Sequence, residues 1–82
     1  MKNKLFELII KVTDNPNLDE NAKLLDEGWM DSLSTIILIQ EIEESFQIEI
    51  NPEYLNHENF NTLSNITSIV QKIFDEKNIK NK

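Results

Sequence analysis

Apolar residues recur with helical spacing in three stretches of the chain. Leu5, Leu8, Ile9 and Val12 fall at i, i+3, i+4 and i+7, one stripe on a helix over about Asn3–Val12. The turn-forming run Thr13-Asp14-Asn15-Pro16-Asn17 closes it. A second helix is predicted from about Ser32 to Phe46, with Asp31 as its N-cap. A third begins near Thr62 and runs to about Glu76, with Leu63, Ile66, Ile69, Val70, Ile73 and Phe74 on its apolar face. Lys77 and Lys80 lie near its negative C-terminal end, where cations are favoured.

The connections are more irregular. Thr13 to Met30 makes a long first loop, with a short helical turn expected around Asp19–Leu25 and Leu18, Ala22, Leu24, Leu25 and Trp29 available to pin it to the core. Gly28, the single glycine, stands where the chain must turn before the second helix. Asn51-Pro52-Glu53-Tyr54-Leu55 has the cap and first-position Pro of a short helical turn. Gln47–Ile50 alternates apolar and polar residues over too short a span to build a sheet. The expected fold is all-α, a small bundle of three main helices and one short one, with residues 1–77 forming the domain and 78–82 a frayed tail.

The second helix departs from simple amphipathicity. At about 100° per residue, Leu38, Ile39, Ile42 and Phe46 share one quadrant with Thr35, an ordinary core face. Leu33, Ile36 and Ile37 project from the opposite side, along with Gln40, Glu43, Glu44 and Gln47. For any one residue of Ile36-Ile37-Leu38-Ile39, simple burial on all sides by the long loop is the favoured reading. Three together on a face shared with acids favour a partner-docking surface.

Charge reinforces that reading. Fifteen acids against eight lysines give a net charge of −7 and a pI near 4.5. Between Lys23 and Lys72 there are nine acids and no Lys or Arg. This balance disfavours nucleic acid and anionic membrane surfaces and favours a basic protein partner. No segment is apolar and long enough to span a bilayer, and the N-terminus lacks the features of a signal peptide, so a cytoplasmic monomer is expected.

Catalytic and metal chemistry find little support. There is no Cys, and His57 is the single His, more readily a solvated side chain than a ligand or base. Adjacent acids such as Glu43-Glu44 point apart on a helix and cannot flank one substrate. Ser32 has two readings. It is a helix-start serine that assists the cap, or an attachment point, since a phosphate ester there sits beside free N–H groups and the positive end of the helix dipole. Asp31 beside it is a suitable ligand for a divalent ion arriving with a phosphate donor.

Asp31-Ser32-Leu33 opening a helix resembles the attachment motif of the acyl and peptidyl carrier proteins. The resemblance runs from about Leu5 to Phe74. It includes Leu24-Leu25-Asp26-Glu27-Gly28-Trp29-Met30 before the motif and Ile39-Gln40-Glu41-Ile42-Glu43-Glu44-Ser45-Phe46 after it. Ile48-Glu49-Ile50 and the Phe-x-Thr-x-x-x-Ile pattern of Phe60, Thr62 and Ile66 complete it. Two residues, Trp29 and Met30, separate Gly28 from Asp31, and the Ile50–Phe60 connection is long. Both features look more like D-alanyl carriers and other free-standing carriers that serve a dedicated adenylating ligase than like fatty-acid carriers.

The resemblance implies a non-catalytic carrier with 4′-phosphopantetheine on Ser32, supported by Asp31, holding an acyl or aminoacyl thioester. Leu33, Ile36 and Ile37 would form the docking patch and Glu41, Glu43 and Glu44 the steering charge. The implied partners are a phosphopantetheinyl transferase, an adenylating ligase and a downstream acyltransferase or synthase. The rival from another class is an acidic helical interaction module that binds a basic protein, which gives Ser32 no special role.

Overall fold

The computed structural model describes residues Met1–Lys80. Helix α1 spans Lys2–Thr13, α2 Ser32–Phe46, α3 His57–Phe60 and α4 Leu63–Lys80, with a 3₁₀ turn at Pro52–Tyr54. No strand occurs among the described residues. Helix α1 packs against α2 and α4, and α3 against α4.

Local chemistry sets most boundaries. Helix α1 ends at Asp14, whose left-handed backbone (φ 54°) returns its N–H to the Ile10 carbonyl. Helix α2 ends the same way at Gln47 (φ 55°), and the Ile48 N–H reaches back to the Glu43 carbonyl. Asn51 caps the 3₁₀ turn by accepting from the Glu53 N–H, with Pro52 at its first position. Helix α3, not anticipated from the sequence, is capped by Asn56, which accepts from the Asn59 N–H at 2.9 Å.

Helix α4 continues four residues beyond Glu76, because neither Gly nor Pro interrupts Lys77–Lys80. The backbone of Asn78–Lys80 is therefore helical. Asn81 and Lys82, the rest of the expected tail, lie outside the described residues.

The core draws on every segment. Leu5, Leu8 and Ile9 of α1 meet Leu38 and Ile42 of α2 and Leu63, Ile66 and Val70 of α4. Leu18, Ala22, Leu24 and Met30 plug the long loop into it, and Ile48, Ile50 and Phe60 close the far side. Two loop expectations are corrected. Asp19–Leu25 forms turns instead of a helical segment. Trp29 stays 44% exposed, and its neighbour Met30 takes the buried position. The Met30 N–H is bonded to the Leu24 carbonyl of the loop, while the Trp29 indole bonds the exposed Glu27 carboxylate.

Candidate functional site

Gly28, at φ +80°, turns the chain in a conformation that side chains rarely tolerate. Met30 then anchors the backbone, its N–H donating to the Leu24 carbonyl at 3.0 Å. Asp31 follows in extended geometry, and its Oδ1 accepts from the Ser34 N–H at 2.9 Å. That hydrogen bond is the main cause holding the Asp31 carboxyl below the usual aspartate value, so it is ionised at neutral pH. Its carbonyl accepts from both the N–H and the hydroxyl of Thr35, at 2.9 and 2.7 Å. Ser32 is thus fixed as the first residue of α2, exposed at the positive end of the helix.

The face of α2 away from the core is apolar and open. Leu33, Ile36 and Ile37 are 67, 52 and 42% exposed. Leu38 and Ile42 on the opposite face are fully buried, with Thr35, Ile39 and Phe46 half-buried beside them. The three acids of α2 differ in setting. Glu41 pairs with Lys11 of α1 at 3.1 Å. Glu43 is half-buried and accepts from the Ile50 N–H at 2.9 Å, bracing the chain after α2. Glu44 is exposed.

Ser32 borders an open groove of about 370 Å³. Thr35, Ile36 and Ile39 form its α2 wall, with Leu25 and Phe60 beneath and Leu55, Asn56 and His57 opposite. An exposed serine at the start of a helix capped by its ionised neighbour, flanked by a mostly apolar groove, fits a phosphate ester bearing a flexible arm. A second cavity, about 660 Å³, lies at the opposite end of α2 between Glu43, Glu49, Glu53, Tyr54, Glu76 and Lys77. Its first lining residue on α2, Glu43, is eleven residues beyond Ser32, roughly 16 Å along the helix.

The groove's outer bank is tied to the long loop by contacts that span the sequence. Asn61 Oδ1 accepts from the N–H groups of Leu25 and Asp26 at 3.0 and 3.1 Å, and its carbonyl accepts from the Leu24 N–H at 2.6 Å. Asn61 Nδ2 donates to Asp26 Oδ2 at 3.0 Å, and His57 Nε2 lies 2.7 Å from Asp26 Oδ1. These two contacts, that of Asn61 first, hold the Asp26 carboxyl below its usual range. His57 is exposed, as expected, and its ring also ties α3 to Asp26 of the long loop.

Among the described residues no group of three or more His, Cys, Asp or Glu side chains is arranged to hold a metal ion, and no helix is long and apolar enough to cross a membrane.

Residues 3–70 match the family described as "Phosphopantetheine attachment site". The D-alanyl carrier protein of Lactococcus lactis subsp. cremoris (strain MG1363) is 37% identical over 78 residues, covering 93% of this chain and 99% of the relative. The D-alanyl carrier protein of Streptococcus pyogenes serotype M5 (strain Manfredo) is 28% identical over 72 residues, covering 82% of this chain and 91% of that relative.

Proposed function

Because the chain belongs to the phosphopantetheine attachment-site family, we propose that Ser32 is its attachment residue and that the protein presents an aminoacyl or acyl group to partner enzymes from that point. Membership makes the chain a non-catalytic carrier with 4′-phosphopantetheine held covalently on a serine and modified by separate enzymes. The arm, when attached, supplies a terminal thiol that holds cargo as a thioester.

One observation supports Ser32 above all: it is the exposed first residue of a helix whose N-cap is the ionised Asp31, and it opens onto a groove. Ser34 and Ser45 lie inside α2 and Ser64 and Ser68 inside α4, without that setting. Asp31 fixes the helix start and offers a carboxylate to a divalent ion brought with the phosphate donor. Leu33, Ile36 and Ile37 give a transferase, an adenylating ligase and a downstream acyltransferase or synthase a common surface to grip. Glu44, with Glu41 and Glu43 behind it, supplies the negative field that draws in a basic enzyme. Docking on so small a patch is weak enough to release, as a carrier that visits several enzymes requires. The tether raises the cargo's effective concentration at each docked site.

The likeness to D-alanyl carrier proteins supports an aminoacyl cargo, with D-alanine the first to test. The test is loading by a transferase, coenzyme A and an adenylating ligase with D-alanine. Wild-type protein should acquire base-labile aminoacyl cargo. Ser32→Ala should keep the helical circular dichroism spectrum and acquire none. Cargo recovered on Ser32→Ala would overturn the assignment.

A further inference from the structure

The cavity at the C-terminal end of α2 continues the groove that begins at Ser32. At about 100° per residue, Ser32, Ile36, Ile39, Glu43 and Gln47 stay within about 80° of arc, one stripe along the helix. The first three border the groove and the last two the cavity. The facing bank is continuous as well. Asn51, Glu53 and Tyr54 line the cavity, and the next residues in the chain, Leu55, Asn56 and His57, line the groove. One trench therefore follows α2 from its attachment end to its C-terminal end.

The chemistry of the trench changes along its length. Among the described residues no carboxylate lines the groove, whereas Glu43, Glu49, Glu53 and Glu76 line the cavity together with Lys77. Among the same residues no ion pair engages Glu49, Glu53 or Glu76. The cavity already receives primary ammonium groups from the chain itself. Lys77 Nζ donates to the carbonyl of Gln47, the C-cap of α2, where the helix dipole is negative. Lys72 Nζ lies over the Tyr54 ring on the cavity wall, 5.3 Å from its centre. Four glutamates outnumber these two lysines, so negative potential remains for a further cation.

We propose that this cavity is a resting site for the ammonium group of the protein's own cargo: an aminoacyl unit carried on Ser32 reaches along the groove and sets its α-ammonium among Glu43, Glu49 and Glu53. The proposal rests on Ser32 being the attachment residue and on an aminoacyl cargo. The lengths agree. Glu43 lies roughly 16 Å along α2 from Ser32. At about 3.5 Å per three bonds of extended chain, phosphopantetheine with an aminoacyl group spans on the order of 20 Å. An exposed ammonium–carboxylate contact is weak by itself, but the tether makes it intramolecular. A neutral acyl group of the same size gains nothing from the glutamates, so the site distinguishes cargo by charge.

The test uses the full-length, isotope-labelled protein bearing phosphopantetheine alone, or phosphopantetheine carrying D-alanyl or propionyl through an amide that replaces the thioester. Propionyl differs from D-alanyl by lacking the ammonium. A transferase attaches each arm from its coenzyme A derivative, and tandem mass spectrometry locates it. Relative to the unloaded arm, D-alanyl should shift the backbone amide resonances of Gln47, Glu49, Glu53 and Tyr54, and propionyl should leave them in place. Glu49→Gln combined with Glu53→Gln should remove those shifts, while the melting temperature and the resonances around Ser32 hold. Raising salt from about 0.1 M to about 1 M should weaken the shifts in the wild type, a readout that stands even where the double variant fails to fold. Equal shifts from D-alanyl and propionyl, or none from either, overturn the proposal. So do shifts that survive in the folded double variant, and shifts that grow with protein concentration, which place the cargo on a second copy. An arm found on a residue other than Ser32 sinks the attachment reading instead, and this inference with it.

Discussion

Three carboxylates at or before the start of α2 are held below their ordinary values by hydrogen bonds: Asp31 by the Ser34 N–H, Asp26 by Asn61 and then His57, and Glu27 by the Lys23 N–H and then the Trp29 indole. Each takes up a proton more readily unfolded than folded. Their contribution to stability is therefore full above the ordinary carboxylate pKa of about 4 and is lost as pH falls through the lower folded values. Melting temperature followed from pH 6 to pH 3 should drop, and Asp26→Asn should drop less steeply; parallel curves would contradict a role for that carboxylate. Asp31 and Ser32 were legible in the sequence because capping is decided within three residues. The Asn61 and His57 clasp was not, because it joins residues 35 and 31 positions apart that only the fold brings together.

Helix α2 carries two apolar faces with different duties. Leu38 and Ile42 are sealed in the core, while Ile36 is half exposed. Leu38→Ala should cost about 2–5 kcal/mol, from lost burial and the cavity left behind. Ile36→Asp should change stability by about 0.5 kcal/mol or less and weaken transferase docking clearly. Chemical denaturation beside a transferase assay separates the two, and a large stability loss for Ile36→Asp would make that residue core. Helical periodicity exposed both faces in the sequence, since 15 residues give four turns of pattern. Helix α3 has four residues, too few for a period, and its sole local signal is Asn56 placed three residues before Asn59. The inward choice of Met30 over Trp29 depends on the turn at Gly28, which the hydrophobic pattern does not encode.

Along the chain, charge is uneven: every lysine lies at or before residue 23 or at or beyond residue 72, and nine of the fifteen acids fill the stretch between, which contains Ser32. Steering of a basic enzyme by such a field weakens as salt shortens the screening length from about 10 Å at 0.1 M to about 3 Å at 1 M. The kcat/KM for phosphopantetheinylation should fall progressively over that range, and Glu44→Lys should lower it at low salt; insensitivity to both would remove electrostatic steering. The assignment of the attachment residue is tested most directly by tandem mass spectrometry of the folded wild-type chain after exposure to a transferase and coenzyme A. We expect a single phosphopantetheine increment, localised to Ser32. A folded chain that stays unmodified, or one modified at another residue, would contradict it.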